Sequence, residues 1–93
     1  MSLDVQHNQN SHQYSAKVQG DEAVVTYMEE GDAVVFTHTL VPESMRGQGV
    51  GEELVRQAVE EARGRGREVL ASCPFVQRFL ERHPEYQGAP SRQ

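Results

Sequence analysis

The segment from Arg46 to Gly51, Arg-Gly-Gln-Gly-Val-Gly, constrains the fold more than any other part of the chain. It follows an apolar run from Ala33 to Val41 and precedes an amphipathic segment from Val50 to Arg63. This order predicts a strand, a glycine-rich turn and a helix. Such a turn directs unpaired backbone N–H groups, at the positive end of the helix dipole, toward a phosphate. Because the glycines lack a Cβ atom, a ligand can approach the backbone closely. The segment therefore predicts a site for a phosphate-bearing ligand, and a tight turn that caps a helix is the alternative.

Two common phosphate-binding loops do not fit this segment. It lacks the Gly-Lys-Ser/Thr ending of an ATP-binding P-loop, and the dinucleotide spacing Gly-x-Gly-x-x-Gly would need a glycine where Glu52 stands. The pattern that remains is Arg-x-x-Gly-x-Gly. This short pattern does not identify the ligand by itself, so the other segments of the chain are needed.

Size and composition limit the class of protein. The 93 residues predict one domain with a thin core, because only 37% of them are hydrophobic. A dimer or a bound ligand would add stability, and the sequence leaves the oligomeric state open. The one cysteine, Cys73, excludes an internal disulfide framework and predicts a reducing, cytoplasmic location. No apolar run approaches the length that crosses a membrane, so no membrane partner is expected, and the histidines lack the spacing of a zinc site.

The net charge of −5 is distributed unevenly along the chain. Residues 1–45 contain seven acidic residues and one basic residue, whereas residues 46–93 contain seven acidic and eight basic residues. The basic half includes the glycine-rich loop and the arginines that a polyanionic ligand would need. An acidic chain without a basic stripe is not expected to bind nucleic acid.

The first 41 residues show strand signals separated by short turns. A polar segment, Met1 to Gln13, has room for one short edge strand, and strands are predicted over Tyr14–Val18, Glu22–Glu29 and Ala33–Val41. The turns between them have the length of hairpin connections. These strands therefore predict an antiparallel meander.

The second half of the chain shows helical periodicity. Over Val50–Arg63, apolar residues recur at helical spacing and charged residues occupy the other side, which predicts a helix. A strand is predicted to follow over Glu68–Ser72. A strand that returns after a helical crossover lies parallel to the strand before it. Cys73 is predicted at the N-cap of a final helix, with Pro74 at its first position and Pro84 after its end. Residues 85–93 are predicted to form a tail.

Three segments, in order and at matching separations, resemble the GCN5-related N-acetyltransferases, and in particular their minimal single-domain branch. The segments are His38–Pro42, Arg46–Gly51, and Cys73–Val76 followed by His83–Tyr86. The resemblance covers roughly residues 12 to 88. It implies an α/β (α+β) fold with a mostly antiparallel sheet, one parallel βαβ crossover and a short C-terminal helix, all within a single domain of residues 1–93.

The resemblance also implies a cofactor, acetyl-CoA or coenzyme A. In this family the cofactor enters a gap between the strands on either side of the crossover helix, and its pyrophosphate meets the glycine-rich loop. The resemblance then implies cofactor contacts from Leu40, Val41, Arg46, Gly47, Gln48, Gly49, Val50, Gly51, Cys73 and Phe75. Arg46 could alternatively be an exposed loop arginine. Many family members carry a tyrosine on the last helix that protonates the departing thiolate, and Leu80 stands at that position here.

Cys73 and His38 are the candidate catalytic residues. A helix N-terminus favours the thiolate form of a cysteine, which is the nucleophilic form. Cys73 is therefore predicted to accept an acetyl group or, as an acid, to stabilise the departing thiolate. A small cysteine that packs in the core is the alternative. Two-residue alternation predicts that His38 lies on the same side of its strand as Phe36 and Leu40. Histidine exchanges protons near neutral pH and could deprotonate an amine, and a locally hydrogen-bonded histidine is the alternative.

The predicted function is acetyl-CoA-dependent transfer of an acyl group to an unidentified amine, from either a small molecule or a peptide. The alternative from a different class is a coenzyme A-binding module with little or no transferase activity. A third possibility, an interaction protein without a ligand, would require the glycine-rich loop to be only a turn.

Overall fold

Short turns divide the first forty residues into an antiparallel meander, as predicted. The computed structural model describes residues 3–87. Its first four strands are β1 (Val5–Asn8), β2 (Gln13–Val18), β3 (Asp21–Glu30) and β4 (Ala33–Leu40). β1 is the short edge strand predicted within the polar N-terminal segment. The structural boundaries of β2, β3 and β4 agree with the predicted ones to within one residue.

A helical crossover adds a fifth, parallel strand. After a one-turn 3₁₀ helix (Glu43–Met45), α1 spans Val50–Gly64 and leads into β5 (Glu68–Ala71). The strand order is β1-β2-β3-β4-β5, and only the β4–β5 pair is parallel. The predicted mostly antiparallel sheet with one parallel crossover is therefore confirmed.

The final helix begins where the sequence predicts. α2 spans Pro74–Arg82 with Cys73 as its N-cap, and a 3₁₀ turn (Pro84–Tyr86) follows. Residues 88–93 of the predicted tail lie outside the described residues. No helix within residues 3–87 is both long enough and apolar enough to span a membrane.

Both helices contribute to a core on one face of the sheet. α1 buries the apolar stripe predicted from its periodicity, and α2 buries Val76 and Phe79. They pack with the inward side chains of the strands, such as Val25, Phe36 and Val69. Burying one such side chain contributes about 1.5–3 kcal/mol. We call this side of the sheet the inner face.

The opposite side of the sheet, which we call the outer face, remains open. Its side chains are half-buried or exposed. Met28, Leu40 and Leu70 lie there with 56%, 64% and 42% of their surfaces exposed. The outer face is therefore available to a ligand or a partner.

A group of hydrogen-bonded polar side chains joins α1 to the first three strands. Tyr14 donates to Glu61 Oε1 at 2.6 Å, and His7 Nδ1 lies 3.1 Å from Glu61 Oε2. His7 Nε2 lies 2.6 Å from the Tyr27 hydroxyl, and the His7 ring stacks on Tyr14 with ring centroids 4.0 Å apart. Burial, followed by the hydrogen bond to Glu61, raises the pKa of Tyr14. This network fixes edge strand β1 against α1.

Candidate functional site

β4 and β5 separate halfway along β4 and leave an open edge. Their pairing runs only from Ala33 opposite Glu68 to Phe36 opposite Ala71. The amides of the next two residues, Ser72 and Cys73, both donate to the Phe36 carbonyl, at 3.0 and 3.2 Å. The chain then turns into α2, while β4 continues to Leu40 with no neighbour on this side among residues 3–87. The parted strands have the form that the resemblance implies for a cofactor cleft.

The glycine-rich loop lies beyond the open end of β4 and presents free amides. Gly47 and Gly49 have φ values of 82° and 77°, a left-handed backbone that residues with a Cβ atom adopt only with strain. The first hydrogen bond of α1 runs from the Glu53 amide to the Gly49 carbonyl at 3.0 Å. Within residues 3–87, the amides of residues 47–52 donate no hydrogen bond of ordinary geometry. Unpaired amides at a helix N-terminus form a ready site for an anion.

Gly51 has a different role from the other two loop glycines. A Cβ atom added there would lie 2.9 Å from Val41 Cγ2 and 3.0 Å from Phe75 Cζ. The sequence suggested that Gly51 lets a ligand approach, but the space beside it is filled by these protein side chains. Gly51 therefore lets the first turn of α1 pack closely against the end of β4 and the start of α2. The structure thus brings three of the predicted cofactor-binding residues together at the base of the cleft.

Arg46 and Gln48 fold back toward the loop that precedes them. Arg46 Nε donates to the Val41 carbonyl at 3.2 Å, and Gln48 Nε2 donates to the Ser44 carbonyl at 3.0 Å. Both side chains are exposed. Arg46 therefore joins the start of the glycine-rich loop to the end of β4.

Cys73 lies inside the cleft on the inner face. Its residue is 7% exposed, and its Sγ atom lies 3.4 Å from Thr39 Oγ1. Burial raises the pKa of the thiol, but hydrogen bonds from the Thr39 hydroxyl and from the amides of Val76 and Phe75 outweigh it. The resulting pKa of Cys73 is below its ordinary value. The Thr39 hydroxyl, followed by the amides at the start of α2, therefore favours the thiolate, in a site more buried than most reactive cysteines occupy.

A β-bulge places His38 on the side of the sheet opposite to that of Phe36. Tyr27 faces Phe36 and the preceding Thr26 faces His38, so Thr37 is an extra residue in β4. The prediction that His38 shares the side of Phe36 is wrong, because one extra residue reverses the alternation of side chains. Phe36 is fully buried on the inner face, whereas His38 is exposed on the outer face with Leu40.

Two threonines that were not predicted as site residues contact the candidate catalytic residues. The hydroxyl of Thr37 lies 3.1 Å from His38 Nδ1 and 3.2 Å from Thr26 Oγ1. Thr39 contacts the sulfur of Cys73. His38 and Cys73 therefore lie on opposite faces of the parted end of β4, each next to a threonine hydroxyl. The two threonines on either side of His38 were the available signal, but the sequence alone could not show which side chain each would contact.

The position of the usual family tyrosine is apolar here. Leu80 packs in the core with 9% of its surface exposed. Tyr86 follows α2, stacks on Phe79, and donates its hydroxyl to the Glu60 carboxylate on α1. That hydrogen bond, and then burial, raises the pKa of Tyr86. Tyr86 therefore does not take the place of the missing tyrosine.

Comparisons with known proteins agree with this geometry. The family model described as GCN5-related N-acetyl-transferase matches residues 13–89. Protein NATD1 of Xenopus tropicalis is 28% identical over 86 residues, which cover 89% of this chain and 79% of the relative. Protein NATD1 of Mus musculus is 28% identical over 83 residues, covering 86% and 76%. The solution structure of a GCN5-like protein from Staphylococcus aureus superposes with a TM-score of 0.70 at 28% identity, covering 90% of this chain and 83% of that one.

Proposed function

This chain belongs to the GCN5-related N-acetyltransferase family, and we propose that it binds acetyl-CoA in the cleft between β4 and β5 and transfers the acetyl group to an amine. The single observation that carries the proposal is the continuity of the open edge of β4 with the free amides of the glycine-rich loop. An elongated ligand with a pyrophosphate at one end and polar amide groups along its arm fits both features.

The loop is the proposed pyrophosphate site. Its amides and the positive end of the α1 dipole favour an anion, and Arg46 adds a guanidinium at the same place. Two acidic residues in the first turn of α1 would oppose an anion, but both have basic partners. Glu53 binds Arg56, and Glu52 Oε1 lies 3.5 Å from Arg82 Nη1. These ion pairs reduce the negative charge near the loop.

The amine is proposed to attack the thioester from the outer face, because α1 and α2 fill the inner face. A carbon–nitrogen bond forms, the carbon–sulfur bond breaks, and the thiolate leaves with the electron pair. His38 is exposed on the outer face and is the candidate to take the proton from the amine nitrogen, with Thr37 holding its Nδ1 side. Cys73 is the candidate to return a proton to the departing sulfur. This role requires the thiol form of Cys73, and the lowered pKa makes that thiol a stronger acid than an ordinary one.

A coenzyme A-binding module with little transferase activity is the second candidate. The observation that favours it is the combination of a deeply buried Cys73 with an apolar residue, Leu80, at the position of the usual proton donor. In that case the cleft and the loop would bind the cofactor in the same way, and only turnover would differ.

The binding site is tested by calorimetric titration with coenzyme A. Arg46→Ala is expected to weaken affinity by about 1–3 kcal/mol, because it removes a charge-assisted hydrogen bond. Arg78→Ala is the matched control on the exposed side of α2. Gly49→Val is expected to weaken affinity strongly, since it disturbs the left-handed loop. Gly31→Val provides the same kind of backbone strain in the β3–β4 turn, away from the loop.

Activity is tested on the same samples with acetyl-CoA and a panel of amines and short peptides, with release of free thiol as the measurement. Turnover together with loss of affinity in Arg46→Ala and Gly49→Val supports the transferase. Tight binding without turnover supports the binding module. If the two loop variants bind coenzyme A as well as their controls do, the assignment of the site is wrong.

A further inference from the structure

The bulge in β4 determines which side chain reaches the sulfur of Cys73. Without the extra residue at Thr37, two-residue alternation from the buried Phe36 would turn Thr39 toward the outer face. With the bulge, Thr39 faces Val25, a buried residue of the inner face, and its hydroxyl lies 3.4 Å from Cys73 Sγ. Bulges often redirect a side chain beside an active site. The bulge is therefore what brings a hydroxyl to the sulfur.

The sulfur of Cys73 lies where β4 and β5 part, and hydrogen-bond donors surround it. The Cys73 amide donates to the Phe36 carbonyl at 3.2 Å, which holds the residue at the last paired position of β4. The sulfur then receives hydrogen bonds from the Thr39 hydroxyl and from the amides of Thr39, Phe75 and Val76, none of which is a charged group. Within residues 3–87, Thr39 supplies the only side-chain hydrogen bond to this sulfur.

The Thr39 hydroxyl can serve both protonation states of Cys73, which a backbone amide cannot. An amide only donates a hydrogen bond, so it stabilises the thiolate and gives the hydrogen of the thiol no acceptor. A hydroxyl has one donor hydrogen and two acceptor lone pairs, and it rotates to suit its partner. It accepts a hydrogen bond from the thiol and donates one to the thiolate. Either atom can therefore be the donor in the contact between Thr39 and Cys73.

We propose that Thr39 is the positioning residue of Cys73, whose hydroxyl holds the sulfur where the strands part and follows its change between thiol and thiolate. This inference rests on the proposed function, in which Cys73 gives its proton to the departing sulfur. The S–H bond of Cys73 breaks, an S–H bond forms on coenzyme A, and the Cys73 sulfur keeps the electron pair. The Thr39 hydroxyl then donates to the new thiolate. The proton released by the amine reaches Cys73 through water and restores the thiol.

Two substitutions at Thr39 separate the hydroxyl from the shape of the side chain. Thr39→Val keeps the branched shape and removes the hydroxyl, whereas Thr39→Ser keeps the hydroxyl and removes a methyl group. The measurement is the rate at which iodoacetamide labels Cys73 between pH 6 and pH 10 without cofactor. Thr39→Val should label about tenfold more slowly than wild type at pH 7, from the loss of a hydrogen bond to a charged group. The difference should shrink as the pH rises, because the thiol then ionises in both proteins. Thr39→Ser should follow the wild-type profile.

Thr26→Val is the matched control, because it removes a threonine hydroxyl from the neighbouring strand. Thr26 Oγ1 lies 3.2 Å from Thr37 Oγ1, on the other side of the sheet from Cys73. Its labelling profile should equal that of wild type. A loss of packing alone would lower the urea midpoint of a Thr39 variant without moving the pH at which labelling accelerates. The profile therefore distinguishes control of ionisation from a structural role.

Turnover of acetyl-CoA provides the second readout. Thr39→Val should lower kcat severalfold and keep its affinity for coenzyme A, because the hydroxyl acts through Cys73, and Thr39→Ser should restore kcat. If the protein binds coenzyme A without turnover, the labelling profile alone decides. A wild-type profile in Thr39→Val, or a Thr39→Ser profile like that of Thr39→Val, overturns the inference and leaves the proposed function intact. Failure of the wild-type protein to bind coenzyme A would instead contradict the proposed function.

Discussion

The same substitution at two glycines of α1 is predicted to have opposite effects on stability. Gly51 lies in the first turn and Gly64 is the last residue of the helix. At Gly51 a new Cβ atom would meet Val41 Cγ2 at 2.9 Å and Phe75 Cζ at 3.0 Å, whereas at Gly64 it would meet nothing within 4 Å. Replacing glycine with alanine in a helix gains up to about 1 kcal/mol, because alanine has the higher helix propensity. Gly64→Ala is therefore expected to stabilise the protein by up to about 1 kcal/mol.

Gly51→Ala should lose more than it gains. Overpacking of a well-filled site costs about 1–3 kcal/mol, and both contacts are closer than ordinary carbon–carbon separations. If alanine gains the same helix propensity at both positions, the difference in the free energy of unfolding between Gly51→Ala and Gly64→Ala measures the steric clash alone. For a domain of this size, 1 kcal/mol shifts Tm by about 4–8 °C. Gly51→Ala should therefore unfold at least about 4 °C below Gly64→Ala in a calorimetric scan.

A double variant shows whether the clash is the cause. Val41→Ala removes the nearer of the two contacting atoms, so Gly51→Ala in the Val41→Ala background should cost less than it does in the wild-type background. Coenzyme A affinity of Gly51→Ala should fall as well, since Val41 and Phe75 are proposed cofactor contacts. Equal stabilisation by Gly51→Ala and Gly64→Ala would show that these side chains move aside freely, and would refute the packing role of Gly51.

Three further predictions follow from hydrogen-bonded ionisable groups. The lowered pKa of Cys73 predicts that its labelling by iodoacetamide slows less between pH 9 and pH 7 than the labelling of a peptide thiol, and that bound coenzyme A protects Cys73 from the label. Cys73→Ala should lose turnover and keep its affinity for coenzyme A, whereas retained turnover would show that Cys73 is structural. The hydrogen bond from Arg56 lowers the pKa of Glu53, so its stabilising effect is present above the unfolded pKa of about 4.3 and is lost as pH falls through the lower folded value. The stability difference between wild type and Glu53→Gln in urea should therefore shrink from pH 5 to pH 3, and a constant difference would contradict this. Tyr14→Phe should cost about 1 kcal/mol by removing the bond to Glu61, and an unchanged urea midpoint would exclude that contribution.

Much of the fold could be predicted from local patterns in the sequence. Two-residue alternation and turn residues gave β2 to β4, and helical periodicity gave α1. Cys73 and Pro74 marked the start of α2 correctly, because an N-cap and the first helical position select residues by backbone geometry alone. The glycine-rich loop was also visible, since its left-handed positions require glycine wherever the chain is placed.

The detailed arrangement of the candidate site depended on the tertiary structure. The bulge at Thr37 carries no signal in the alternation pattern, yet it decides that His38 faces the outer side of the sheet. The sequence predicts that Gly51 is a ligand-binding glycine, but the tertiary structure packs Phe75, at the start of α2, against it. The sequence by itself determined where strands and helices form, because those preferences depend on neighbouring residues. Which side chains meet across the sheet was decided by strand register and packing, which depend on contacts between residues far apart in the chain.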